Sequence, residues 1–171
     1  MSRSGVRVPT RAQRHRVPSS SADAARAGPR YRPWMVTLRS GRLDEAESIV
    51  GVWREAEAEP TTTDDPERVR QLMAADADAV IVAEEGGRLV GTVIAAWDNW
   101  RGGIYRLAVV PDHRRRGLGH RLVDEAVSRL RAAGAARLSA IVVDDDEGAM
   151  AFWTALGWYR QPARARFVKN L

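Results

Sequence analysis

Apolar and polar positions change their period several times along this chain, and each change marks an element. Trp34-Met35-Val36-Thr37-Leu38 reads as a short strand. Ala46, Ile49, Val50 and Trp53 recur at helical spacing, one stripe of a helix near 44–58. Pro60 and the polar run 61–65 form a loop. Asp65-Pro66 starts a second helix reaching about 77, with Pro in the first turn, where its missing N–H has no partner to lose. Ala79–Ala83 is a strand, Glu85-Gly86-Gly87 a hairpin turn and 88–97 the returning strand. Ile104–Val110 is a further strand. From Gly117 to Ala133 the apolar positions 118, 122, 123, 126, 127 and 130 share one face of a long amphipathic helix, which Gly134 ends. Leu138–Val143 is a strand and 147–156 a helix, with two short strands near 158–160 and 166–170. The order β-α-α-β-β-β-α-β-α-β-β predicts a mixed sheet with helices on both faces, partly parallel in its core, where helices 117–133 and 147–156 join strands.

Residues 1–33 fall outside this pattern. They contain no Leu, Ile, Phe or Trp, four of the eight prolines, and the run Ser19-Ser20-Ser21. Too little apolar surface is available to offset the entropy of ordering, which predicts a disordered tail ahead of one domain at 34–171. Met35 stands where the folded pattern begins, so 1–34 also reads as a dispensable extension or a misassigned start. The tail changes the meaning of the charge. The chain has 27 Lys and Arg against 22 Asp and Glu, a balance of +5. Eight Arg and one acid, Asp23, lie in 1–33, leaving 19 basic and 21 acidic residues for 34–171, a balance of −2. Nucleic-acid binding through the tail is therefore an alternative reading for that segment, and the domain itself gives it no support. Cysteine is absent, which excludes disulfides, thiolate metal sites and a cysteine nucleophile. No apolar run approaches the length of a membrane span and no secretory h-region is present, so a cytoplasmic location is expected.

The chemistry concentrates in Leu107-Ala108-Val109-Val110-Pro111-Asp112-His113-Arg114-Arg115-Arg116-Gly117-Leu118-Gly119-His120. A strand runs into a turn, then into a glycine-containing loop that opens the long helix. Helix N-termini leave backbone N–H groups unpaired and carry partial positive charge. Gly117 and Gly119 let an anion approach those groups, and Arg114, Arg115 and Arg116 add forked donors that suit phosphate oxygens. A nucleoside-triphosphate P-loop does not match, and the third glycine of a dinucleotide fingerprint falls on Leu122. A solvated arginine run beside a helix cap is the plainer alternative.

Arg114-Arg115-Arg116-Gly117-Leu118-Gly119 resembles the Arg/Gln-x-x-Gly-x-Gly/Ala motif of the GNAT (GCN5-related N-acetyltransferase) superfamily. Leu107-Ala108-Val109 and Pro111 look like that family's fourth strand and its exit. The segment 148–158, with Phe152, Trp153, Leu156, Gly157 and Trp158, is similar to its second signature, Ala-x-x-Phe-Tyr-x-x-Leu-Gly-Phe. The resemblance covers 34–170. It implies an α/β fold of α+β type: a mixed, centrally splayed six- to seven-stranded sheet flanked by helices on both faces. It also implies acetyl-CoA as acyl donor, an amine acceptor, direct transfer in a ternary complex and no metal. The pyrophosphate is expected on the amides of Arg115, Arg116, Gly117, Leu118, Gly119 and His120, with Arg114 beside them. The pantetheine arm is expected along Leu107, Ala108 and Val109, where a bulge splays the fourth strand from the fifth. The Leu107 amide is expected to face the thioester carbonyl as oxyanion donor. Asp146 and Trp153 fall where the family places an Asn and a Tyr that serve the coenzyme.

The sequence departs from the family where protons move. The usual Glu near the start of the fourth strand falls on Gly103, and the usual Tyr acid falls on Trp153, whose indole N–H is far too weak an acid. Tyr105, two residues along on the same strand face, and Asp98, in the preceding turn, are the substitutes the sequence offers. A packed core tyrosine and a turn aspartate are their respective alternatives, and a non-catalytic acetyl-CoA binder is the alternative for the whole. Asp144-Asp145-Asp146-Glu147 reads as a helix cap rather than a metal site. His113 reads as a turn residue. Trp53, Trp153 and Trp158 fall on apolar positions and are expected in the core. Trp97 and Trp100 either line an acceptor pocket or form a surface cluster. A homodimer is left open.

Overall fold

The computed structural model describes residues 35–162 and 165–170. The expectations for 1–33, the tail's nucleic-acid reading included, lie outside the described residues. Five strands form one sheet in the order β1 (Thr37–Ser40), β2 (Val80–Glu85), β3 (Arg88–Trp97), β4 (Gly102–Val109) and β5 (Leu138–Ala140). The first three pairings are antiparallel and β4–β5 is parallel. Among the described residues four α-helices accompany them: α1 (Ala46–Glu55), α2 (Pro66–Ala75), α3 (Leu118–Ala132) and α4 (Glu147–Ala155).

Local chemistry sets most boundaries. The Asp65 carboxylate accepts from the Glu67 amide at 2.6 Å and caps α2. The Asp146 carboxylate does the same for α4, accepting from the Ala149 amide at 2.8 Å. Val80 to Ala83 of β2 are buried without alternation, as in a strand covered on both faces. The cover is visible on β3, where neighbouring residues point to opposite sides. Thr92 meets Trp53 of α1, while Leu122 of α3 lies where a side chain on Gly91 would sit. Ile49, Val50 and Trp53 on one face and Leu118, Leu122, Val123, Ala126 and Leu130 on the other complete the core.

The strand count differs from expectation. β5 stops at Ala140 instead of reaching Val143, and the described residues of 158–162 and 165–170 form no strand. Tyr159, Phe167 and Val168 are 77%, 94% and 73% exposed. An apolar alternation that buries neither face gains nothing from pairing. The asparagine near the chain's end, Asn170, instead hydrogen-bonds Thr62 of the α1–α2 loop at 3.4 Å.

Candidate active site

The site is built on a fault in the sheet. Thr92 pairs with Ala108 and Ile94 with Tyr105, so Arg106 and Leu107 together oppose Val93, a bulge in β4 against β3. Arg106 takes a left-handed φ of 49°. On the other edge, β5 pairs only with Gly102 to Ile104. β4 therefore runs on from Tyr105 to Val109 with its β5-side edge open among the described residues. Val110 donates its N–H to the Val90 carbonyl on the β3 side, at 3.1 Å, so the preceding amide, of Val109, points to the open edge. Ile141 and Val143, past the end of β5, are 54% and 51% exposed.

β4 leads through a 3-10 turn, Pro111–His113, into the loop that opens α3. Gly117 is the N-cap residue with a φ of 77°, a conformation that suits glycine, and no side chain caps the helix. The first backbone bond at this end is Arg121 N–H to the Gly117 carbonyl, at 3.1 Å. The amides of Leu118, Gly119 and His120 lie ahead of it, without intrahelical partners. The three arginines divide their work. Arg114 is committed to the protein, donating from Nε to the Val109 carbonyl at 3.0 Å and from a terminal nitrogen to the Ala56 carbonyl at 2.7 Å. It ties the loop to the end of α1. Arg115 and Arg116 are exposed at the loop's outer side, Arg115 with a φ of 61°. His120 is exposed and lies 3.5 Å from Asp124.

His113 differs from its sequence reading. It does sit in a turn, yet it is buried, with Nδ1 2.7 Å from Asp112 and Nε2 2.8 Å from Glu85. Its hydrogen bond holds the Asp112 carboxyl below the usual range. The pair anchors the loop to the β2–β3 hairpin, which nothing local to residue 113 signals.

The two candidates for proton transfer separate cleanly. A side-chain carbon on Gly103 would lie 2.5–2.8 Å from the ring and hydroxyl atoms of Tyr105. The Tyr105 ring therefore fills the place of a residue-103 side chain, on the α1 face, and is 42% exposed. Asp98 accepts from the amides of Arg101 and Trp100 at 2.6 and 2.8 Å and closes the β3–β4 turn. These bonds hold its carboxyl low. The tryptophans divide too. Trp53 is core, whereas Trp153 and Trp158 are only half-buried and pack edge to face with centroids 4.8 Å apart. Phe152, beside Trp153, lies 3.4 Å from the side-chain position of Gly119 and so packs α4 on the loop. Trp97 lines a cleft with Asp76 and Arg129 behind α3, and Trp100 is exposed under Arg101. Neither belongs to the loop.

A second cleft, of about 540 Å³, opens between α1 and the α1–α2 loop, with Trp53, Glu57, Glu59, Thr61 and Asp64 in its lining. Among the described residues no group of three or more His, Asp or Glu side chains could hold a metal, and no helix is long and apolar enough to cross a membrane.

A mixed sheet, a bulged fourth strand and an uncapped helix opening on a glycine loop are the features that the resemblance noted in the sequence implies. Residues 46–158 match the profile of the acetyltransferase (GNAT) family, and the chain belongs to it. It is an acetyltransferase. An acetyltransferase of Sodalis glossinidius is 27% identical over 134 residues, 78% of this chain and 94% of that relative. Among solved structures, the PaiA N-acetyltransferase of Thermoplasma acidophilum in complex with coenzyme A has a TM-score of 0.65 at 14% identity, over 75% of this chain and 92% of that one. Ard1 of Thermoplasma volcanium has a TM-score of 0.64 at 22% identity, over 72% and 82%.

Proposed function

We propose that this protein transfers an acetyl group from acetyl-CoA to an amine, by direct attack within a ternary complex. The observation that carries the reading is the meeting of the uncapped α3 N-terminus with the open edge of β4. The residues present fit the donor. Leu118, Gly119 and His120 offer amides to a pyrophosphate at the positive end of a helix, with Arg115 and Arg116 at the outer side. Arg114 shapes that loop rather than meeting the ligand. The open edge at Val109 offers its N–H to an extended amide-bearing arm, the Val109 carbonyl already accepting from Arg114. The solved neighbour that holds coenzyme A supports the same choice of donor.

Acetyl-CoA supplies a thioester carbonyl whose oxygen gains negative charge when the amine attacks. Leu107, in the bulge, donates its N–H to that oxygen, a contribution of about 10²–10³ in rate for one such donor. Tyr105, whose ring lies where the Gly103 side chain would be, takes the amine's proton on its hydroxyl oxygen while handing its own proton to water. The adduct then collapses by breaking the C–S bond, leaving the N-acetylated amine and a CoA thiolate that is protonated from solvent. Asp98 stays out of this path, because two backbone amides already hold its carboxylate in the turn. Asp146 serves as the cap of α4, and Trp153 contributes packing. The protein acts in the cytoplasm, where acetyl-CoA is made available.

Calorimetry with acetyl-CoA, followed by free-thiol release against small amines, polyamines, arylamines and peptides with free N-termini, tests the proposal. Saturable binding and amine-dependent thiol release are expected. Absence of acetyl-CoA binding overturns it. Binding without thiol release across the panel supports the non-catalytic alternative instead.

A further inference from the structure

Arg106 is fixed at both ends. Its backbone carbonyl accepts from Thr92 Oγ1 at 3.2 Å, and that oxygen accepts from Trp53 Nε1 at 2.8 Å. Thr92 and Trp53 are 0% and 3% exposed. Its guanidinium crosses to the α1–α2 loop. There it donates to the Glu59 carbonyl at 2.9 Å and to Thr61 Oγ1 at 2.7 Å, and it pairs with Asp64 Oδ2 at 2.7 Å. Asp64 in turn accepts from the Thr61 amide at 2.9 Å and the Thr61 hydroxyl at 3.2 Å. The guanidinium and carboxylate side chains are 16% and 14% exposed, and the guanidinium carbon lies 5.5 Å from the centre of the Trp53 ring.

We infer that Arg106 is a positioning residue, one that couples the α1–α2 loop to the β4 bulge so that the loop and the Leu107 amide are set together. A side chain in the left-handed region is retained only where its surroundings hold it there. Here the holders are a buried hydroxyl on the sheet side and three acceptors on the loop side. A planar fork satisfied by three acceptors has little rotamer freedom left. Displacement of 59–64 therefore acts on the backbone torsions of residue 106 and, through them, on the direction of the next N–H. The same loop lines the 540 Å³ cleft, so an acceptor lodged there bears on the oxyanion donor without touching it. The inference rests on Leu107 being that donor.

Hydrogen–deuterium exchange on the full chain reads the coupling directly, and kinetics read its consequence. Arg106→Gly removes the guanidinium while suiting the positive φ, and Asp64→Ala removes the loop-side acceptor. Both variants are expected to exchange faster at 59–64 and at 105–109 together, by about 10-fold or more in each segment. Thiol-release kcat is expected to fall by about 10- to 100-fold, with KM for acetyl-CoA within about twofold. The double variant is expected to be no worse than either single one, and Arg106→Lys to recover part of the rate. Faster exchange confined to 59–64, or an unchanged kcat in Arg106→Gly, overturns the coupling. If the wild type releases no thiol with any amine, the proposed function falls, and exchange alone decides whether loop and bulge move together.

Discussion

Replacing Gly103 by Ala places one methyl group where the Tyr105 ring now lies. The added carbon falls 2.5 Å from a ring carbon and 2.7 Å from the hydroxyl oxygen, well inside van der Waals contact. The ring must swing away, and it has somewhere to go because it is 42% exposed. Overpacking that a half-exposed side chain relieves costs little, so folding stability should change by about 1 kcal/mol or less. Activity should not be spared. If the Tyr105 hydroxyl handles the amine's proton, displacing it removes a general acid–base contribution, about 10²-fold at the lower end of the usual range. Tyr105→Phe should give the same loss with no steric change. Steady-state thiol release then separates the causes. Both variants should lower kcat with KM for acetyl-CoA unchanged, and the Gly103→Ala/Tyr105→Phe pair should fall no further than either alone, since both remove one hydroxyl. An unaltered kcat in Tyr105→Phe rules out the Tyr105 hydroxyl as the proton carrier, and so do losses that simply multiply in the double variant.

Two further expectations concern the frame around the site. Thr92→Val leaves the buried Trp53 indole N–H without its acceptor at nearly constant shape, which should cost about 1–3 kcal/mol. For a chain of this size that is a fall of about 2–10 °C in melting temperature, and an unchanged denaturant midpoint would refute the Trp53–Thr92 bond. Glu45 is held below its ordinary value of 4.5 chiefly by its hydrogen bond from Arg39, at 2.6 Å. A depressed carboxyl stabilises the fold above the unfolded value and loses that contribution as pH falls through the folded one. The stability gap between wild type and Glu45→Gln should therefore be full above about pH 5 and close as the solution is acidified below 4.5. A gap independent of pH counts against the Arg39 pairing.

The readable parts of this chain are those in which a local rule and the tertiary fold agree. Asp65 and Asp146 cap the helices their positions predict, Gly86-Gly87 turns the hairpin, and Gly117 to His120 opens α3 as an uncapped N-terminus. The Gly103–Tyr105 relation was also legible, because residues two apart on a strand share a face. Elsewhere the deciding partner is remote in sequence. Arg106 adopts a left-handed φ because Thr92 and the 59–64 loop hold it, 14 residues and more than 40 residues away respectively. His113 is buried because Glu85 and Asp112 both reach its ring. The expected strands near 158–160 and 166–170 failed on the same ground. Their apolar side chains have a strand's spacing, but Tyr159 and Phe167 meet no core.

The proposed presentation of acetyl-CoA to an amine by the α3 N-terminus and the β4 bulge is open to direct test. The most direct measurement mixes wild-type enzyme, acetyl-CoA and one amine at a time, and follows free thiol and acetylated amine in the same sample. Thiol is expected to be released in step with acetylated product, one for one, and only when an amine that serves as acceptor is present. Thiol released at the same rate with and without amine, or no acetylated product from any amine, would contradict it.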